Sequence, residues 1–232
     1  MRALTRAMAS GAGAAVLALT LVAPAEGASI LVDNANPQNI PGLSGFTTSG
    51  GMMTGMSVTA HFKDKSSETK TWGIITEGLS GGVTGTGWSL SLTGDSFISN
   101  WSFVNRDAGK LTRLVLDGST GLTVFDKREP DFGTDGSWNG SDFISSLAED
   151  GLIVATYRRP VGVGGSGAVG DLFQILELDF SRLQTNGTRD NFTFMQDADN
   201  DLRLVPVPEP STLVLFGIGL AGVARARRRA RA

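Results

Sequence analysis

Met56-Ser57-Val58-Thr59-Ala60-His61-Phe62 alternates apolar and polar residues, with Met56, Val58, Ala60 and Phe62 on one side and Ser57, Thr59 and His61 on the other. Successive side chains of a strand point to opposite faces, so a period of two reads as a half-buried β-strand. The pattern recurs at Trp88–Leu92 and at Leu172–Phe180, and similar runs occupy Thr71–Thr76, Phe97–Val104, Leu111–Asp117, Leu122–Phe125, Leu152–Arg158 and Asn191–Met195. Between them lies turn chemistry: Asp117–Gly121 reads as a hairpin loop, Lys63–Lys70 as a longer polar loop, and Val161–Gly170 as a flexible glycine-rich connection. Helical periodicity is weak, and only Ser141–Asp150 reads as a short helix, capped by Ser141 or Asp142 and stopped by Gly151. About nine or ten short strands joined by glycine-rich turns predict an all-β fold, an antiparallel β-sandwich of jelly-roll-like type.

The two ends have other jobs. Arg2 and Arg6, then an apolar run from Ala12 to Val22, then small residues at Ala23-Pro24-Ala25 or Gly27-Ala28, form a secretory signal peptide over residues 1–28. The expected division is therefore a leader with a signal helix, an exported domain over 29–204, and a sorting segment with a short hydrophobic helix over 205–232. The formal net charge of −3 hides an asymmetry, because seven of the twenty basic residues lie in the ends. Between Ser29 and Pro210, thirteen Lys and Arg face twenty-two Asp and Glu, a net of −9. Such a domain repels nucleic acid and anionic lipid, and its expected partners are cations, neutral glycans or other proteins. The absence of cysteine excludes disulfides, thiol nucleophiles and cysteine-bound metal centres.

Catalytic patterns are present but lack their settings. Gly78-Leu79-Ser80-Gly81-Gly82 matches a G-x-S-x-G nucleophile elbow, yet a strand rather than a helix follows it. Gly162–Gly167 matches a dinucleotide fingerprint, but it too opens onto a strand, so no helix N-terminus would hold a pyrophosphate. His61, the sole histidine, falls on the polar side of its strand and reads as exposed and chemically idle. The acidic residues are more suggestive. Asp197, Asp199 and Asp201 place carboxylates at alternate positions, which suits a hard cation such as calcium. The run begins like an EF-hand loop but has Leu202 and Pro208 where the turn glycine and the bidentate glutamate would stand, so a full EF-hand is excluded. Asp131, Asp135 and Asp142 form a weaker second cluster, and paired carboxylates also suit glycoside hydrolysis. Sequons at Asn100, Asn139, Asn186 and Asn191 matter only in a host that glycosylates them.

Leu213–Ala224 is a run of twelve apolar or glycine residues. At 1.5 Å per residue it extends ~18 Å as a helix, short of the ~30 Å hydrocarbon core. Arg225, Arg227, Arg228, Arg229 and Arg231 follow and would hold that end on the cytoplasmic side. Pro206, Pro208 and Pro210 keep the preceding stretch extended and open to a protease. Val207-Pro208-Glu209-Pro210-Ser211-Thr212, then the apolar run, then the arginines, resembles the PEP-CTERM sorting signal of Gram-negative bacteria. The resemblance implies processing by an exosortase, a membrane-embedded cysteine protease that recognises Pro208, Glu209 and Pro210. It also implies association with exopolysaccharide and a biofilm or floc matrix. More loosely, Leu122–Asp126, Val169–Phe173 with Leu178–Phe180, and Asp197–Asn200 are similar to stretches of exported all-β proteins that carry this tail.

These readings combine into an expectation. The chain is exported through the Sec pathway, held transiently in the inner membrane by its tail, cut, and placed at the cell surface or outside. There it is a structural or adhesive component without catalytic machinery. The alternatives are a calcium-dependent glycan-binding module and a polysaccharide hydrolase or lyase.

Overall fold

The computed structural model describes residues 28–44, 47–106, 111–129, 133–134, 137, 139–146, 153–182 and 191–202. The signal peptide, the sorting segment, Asp131 and Asp135 lie outside the described residues. Regular structure is almost wholly strand, in two sheets with two short 3-10 turns.

The first sheet is built on β14 (Leu172–Asp179), which is long enough to take several partners. On one side it pairs with β13 (Val154–Val163); on the other it pairs with β10 (Leu111–Asp117) along one half and β11 (Thr123–Asp126) along the other. Beyond β10 lie β4 (Ser57–Phe62) and β5 (Ser67–Thr71), while beyond β11 lie β16 (Asp197–Asp201) and β3 (Leu43–Ser44). The far edge of β13 carries β1 (Ser29–Asp33) and β2 (Gln38–Ile40), both parallel to it. The second sheet runs β6 (Gly73–Thr76), β7 (Ser80–Gly85), β8 (Trp88–Thr93), β9 (Trp101–Asn105), β15 (Asn191–Met195) and β12 (Ile144–Ser145), antiparallel throughout.

The alternation that predicted strands also sets the core. Register aligns Ala60, Leu114, Leu178 and Ala155 in one row across the first sheet, and Val58, Leu116, Leu176 and Tyr157 in the next. All eight are fully buried. The second sheet offers Leu90, Phe103 and Phe192 in one row, and Leu92, Trp101 and Phe194 in another. The rows from both sheets join in one hydrophobic cluster, and Phe180 at the end of β14 reaches Phe103 at 5.8 Å between ring centres. Burial of this kind contributes about 25 cal/mol per Å² of apolar surface removed from water, the largest favourable part of folding.

Five sequence expectations change. Thr71–Thr76 is not one strand, because the chain passes from the first sheet to the second at Trp72, whose buried Nε1 donates to the Gly50 carbonyl at 2.8 Å. Lys63–Lys70 is shorter as a loop, since Ser67–Thr71 pairs with β4 and Glu68 and Lys70 belong to that strand. Asp117–Gly121 is a 3-10 jog rather than a hairpin: β10 and β11 both pair with the same edge of β14, and Asp117 Oδ1 accepts from Ser119 N to make the step. The described part of the expected Ser141–Asp150 helix is extended, with Ile144 and Ser145 paired to Met195 and Phe194. Tertiary packing decides that case, because Phe143 is buried 5.1 Å from the Phe194 ring and its N–H donates to the Tyr157 hydroxyl. Finally, β6 to β9 form a meander of consecutive hairpins, which lacks the sheet-to-sheet alternation of a jelly roll.

Candidate functional site

Strand β16 carries the alternating aspartates, and the sheet explains where they go. Ala198 turns into the main core, so the strand period places Asp197, Asp199 and Asp201 on its other side. There β16 pairs with β11, with Asp197 opposite Asp126 and Asp199 opposite Val124. The chain enters β16 through Gln196, a fully buried corner residue. Its Nε2 donates to the carbonyls of Asp126 at 3.0 Å and Asp197 at 2.8 Å, its Oε1 accepts from the Tyr157 hydroxyl, and its own carbonyl accepts from Trp101 Nε1 at 2.9 Å.

Four carboxyl groups gather beside this corner. Asp171 immediately precedes β14, and its Oδ1 accepts from Thr134 Oγ1 at 2.7 Å and Leu172 N at 2.8 Å. Asp197 Oδ1 accepts from Ser96 Oγ and from Ala198 N, each at 2.8 Å. Asp126 and Asp199 meet across one residue, Ser137, whose Oγ lies 2.7 Å from Asp126 Oδ2 and 2.8 Å from Asp199 Oδ2. No ion pair among the described residues brings a lysine or arginine to any of the four. Asp126 is 1% exposed, and its Oδ1 has no hydrogen-bond partner among the described residues.

Electrostatics follow from that placement. Burial disfavours a charged carboxylate, and neighbouring carboxylates disfavour it further. Asp126 is pushed up to about 9, by burial first and then by the Asp199, Asp197 and Asp171 charges against the opposing Ser137 bond. Asp197 is pushed up to about 6, again chiefly by burial, and Asp199 moves upward for the same reason. A carboxyl raised on folding holds a proton that the unfolded chain releases, so its contribution is most favourable at acid pH and is lost as pH rises. In chelator, Tm is expected to fall between pH 5 and pH 8, and Asp126→Asn is expected to flatten that slope. Calorimetry at the two pH values checks it, and a Tm that climbs with pH would refute the sign.

The expected trio is therefore only partly together. Asp199 joins Asp126, seventy-three positions earlier in the chain, whereas Asp197 is engaged by Ser96, and strand geometry separates alternate residues by about 6.5–7 Å. Among the described residues, no three histidine or acidic side chains already form a group able to hold a metal ion. Asp142, from the second expected cluster, borders an open groove of about 580 Å³ with Phe97, Ile98, Ile144 and Met195. Asp126, Asp171, Ser96 and Ser137 were not singled out as ligands from sequence. One signal did exist: Leu122–Asp126, Val169–Phe173 and Asp197–Asn200, which carry the looser likeness to exported all-β proteins, are the segments that supply these carboxylates.

The enzyme-like motifs resolve as structure. Ser80 is buried in the β6–β7 hairpin, and the glycines after it allow close packing: a Cβ on Gly81 would collide with the Gly50 carbonyl and Trp72 Nε1. Gly162–Gly167 spans the end of β13 and the turn leading to β14, with Gly164 and Gly165 at positive φ. His61 is half-buried on β4, and partial burial and then the Arg113 guanidinium hold it below its ordinary range.

Residues 206–229 match the family model described as the PEP-CTERM protein-sorting motif. The chain therefore carries a PEP-CTERM sorting motif, which supports its being an exosortase substrate. The motif supports export, processing by an exosortase and placement at the cell surface or outside. It covers 24 residues of the PEP-CTERM chain, so it addresses the β domain without assigning its activity. No curated protein and no solved structure matches this chain. Pro208, Glu209, Pro210 and the arginines from Arg225 onward lie outside the described residues, and no helix among the described residues is long and apolar enough to cross a membrane.

Proposed function

We propose that this PEP-CTERM protein is a structural or adhesive component of the cell surface or extracellular matrix, in an exopolysaccharide or biofilm setting. The sorting motif at 206–229 is the observation that carries the reading. In this account residues 29–204 are the exported unit, delivered by the Sec pathway, and the tail pauses in the inner membrane until the exosortase cuts it. Pro208, Glu209 and Pro210 are the recognition residues, and Arg225, Arg227, Arg228 and Arg229 keep the end of the tail cytoplasmic.

The domain works without catalytic machinery of its own. Supporting this, Asp126 and Asp199 are shut away from any substrate, and Ser80 sits in a hairpin rather than at a strand-to-helix elbow. The exposed side chains of Phe97, Ile98 and Ile144 supply apolar contact surface of the kind an adhesive protein needs. A polysaccharide hydrolase or lyase is the rival, and turnover on a glycan panel that disappears in a carboxylate variant would establish it.

Glu209→Ala is expected to leave the tail attached in the native host. Intact-mass spectrometry of the exported protein reads this directly. A mutant mass equal to that of the processed wild type would remove recognition through Pro-Glu-Pro.

A further inference from the structure

We propose that Asp126 and Asp199, with the Ser137 hydroxyl between them, form a calcium site that ties the segment after β11 to the inner part of β16. The first ground is a count of protons. Ser137 Oγ lies within hydrogen-bond distance of a carboxyl oxygen from each aspartate, but a hydroxyl has one hydrogen and can donate to only one of them. The other contact needs either a proton on one of the two carboxyls or an added cation in its place. The second ground is independent of the first: Asp126 Oδ1 is buried and has no hydrogen-bond donor among the described residues. A buried acceptor left unmatched is costly, and a carboxylate more so. No lysine or arginine among the described residues answers it.

The ligand chemistry selects the ion. Every donor in the pocket is a hard oxygen, with no sulfur or imidazole, which favours calcium or magnesium over transition metals. Calcium tolerates an irregular shell completed by backbone carbonyls and water, whereas magnesium demands a near-ideal octahedron. Only two carboxylates are needed, consistent with the weak affinities, 10⁻⁴–10⁻³ M, of extracellular calcium modules. Asp171 and Asp197 stay on their own hydrogen bonds and add negative potential around the ion. This assignment differs from the linear Asp197, Asp199, Asp201 reading, because it takes one ligand from β16 and one from β11. It is also independent of exosortase processing.

The full chain, purified in detergent and stripped with EDTA, is the material for the test, and calcium chloride is the probe. At 10 mM calcium the wild type is expected to gain about 4–8 °C in Tm. Asp126→Asn and Asp199→Asn keep the side-chain shape and are expected to fold but lose the shift, while Asp201→Asn is expected to keep it. An unchanged wild-type Tm, or an undiminished shift in Asp126→Asn, overturns the proposal. So does a shift that vanishes in Asp201→Asn while persisting in Asp126→Asn, which would return the site to the strand's own trio. If an asparagine variant fails to fold, isothermal titration of the wild type decides: one-to-one binding supports the site and no heat at two temperatures overturns it. None of these results bears on tail removal, which the mass measurement on Glu209→Ala reads separately.

Discussion

Trp101→Ala is expected to destabilise the domain by about 3–5 kcal/mol, the range for deleting a large aromatic from a packed core. Trp101 is fully buried at the centre of the second sheet. Its ring stacks on Phe194 at 5.5 Å and meets Trp72 at 5.3 Å, so alanine leaves a cavity bounded by two other large aromatics. The indole also does polar work, since its Nε1 satisfies the carbonyl of Gln196, the corner residue that joins the two sheets. Removing the donor strands that buried carbonyl, which adds a penalty beyond the lost volume. A domain of this size moves roughly 2–4 °C per kcal/mol, so Tm should drop by roughly 10 °C. Thermal melts of Trp101→Ala and Trp101→Phe separate the two contributions. Phenylalanine restores most of the volume and none of the hydrogen bond, and its loss should be the smaller. A Trp101→Ala melt within 2 °C of wild type would mean that the two sheets do not share this core.

Gly81→Val is expected to be at least as damaging, by roughly 3 kcal/mol or more. Gly81 pairs with Leu92 on β8, and its Cα faces the 3-10 turn at Gly50–Met53. Any Cβ there would meet the Gly50 carbonyl and Trp72 Nε1 closer than real Cβ atoms approach other atoms. Those same two groups hydrogen-bond each other, so the clash opens the bond at the crossing between the sheets. Overpacking against backbone ordinarily costs about 1–3 kcal/mol, and the broken buried bond adds to it. Ser80→Ala, one residue away, is expected to change Tm by only about 1–2 °C. The contrast is diagnostic, because a nucleophile elbow would make the serine indispensable for activity. Denaturant melts of the pair check it, and equal stability of Gly81→Val and wild type would sink the packing account.

The class of the fold was legible because strand periodicity is local. Val58 and Ala60 in Met56–Phe62, and Trp88, Leu90 and Leu92, turn into the core as the alternation requires. Leu172–Phe180 instead changes face along its length, with Leu176 and Leu178 joining Phe173 in the main core and Leu172 joining a second cluster. What misled was also local. Ser141–Asp150 carries cap and stop residues for a helix, yet Phe143 gains more from the Phe194 ring and the Tyr157 hydroxyl than a single helical turn could return. Asp117–Gly121 carries hairpin chemistry, but β14 is long enough to pair with the strands on both sides of it, so the chain jogs instead of reversing. Neither outcome can be read without knowing the neighbour.

The acid site divides in the same way. From sequence, Asp197, Asp199 and Asp201 read as carboxylates at alternate positions of a cation-binding loop, and that reading does not foresee the strand β16 that carries them. Nor does it reveal that Asp199 meets Asp126 through Ser137 while Asp197 turns to Ser96, because those partners lie 62 to 101 residues away. By itself, then, the sequence determined that the chain is exported, addressed by its last residues and built of strands, since a sorting signal is read as a linear motif and strand alternation repeats every two residues. Only the tertiary structure decided which aspartates share a buried pocket, because hydrogen bonding and burial depend on distance in space and not along the chain.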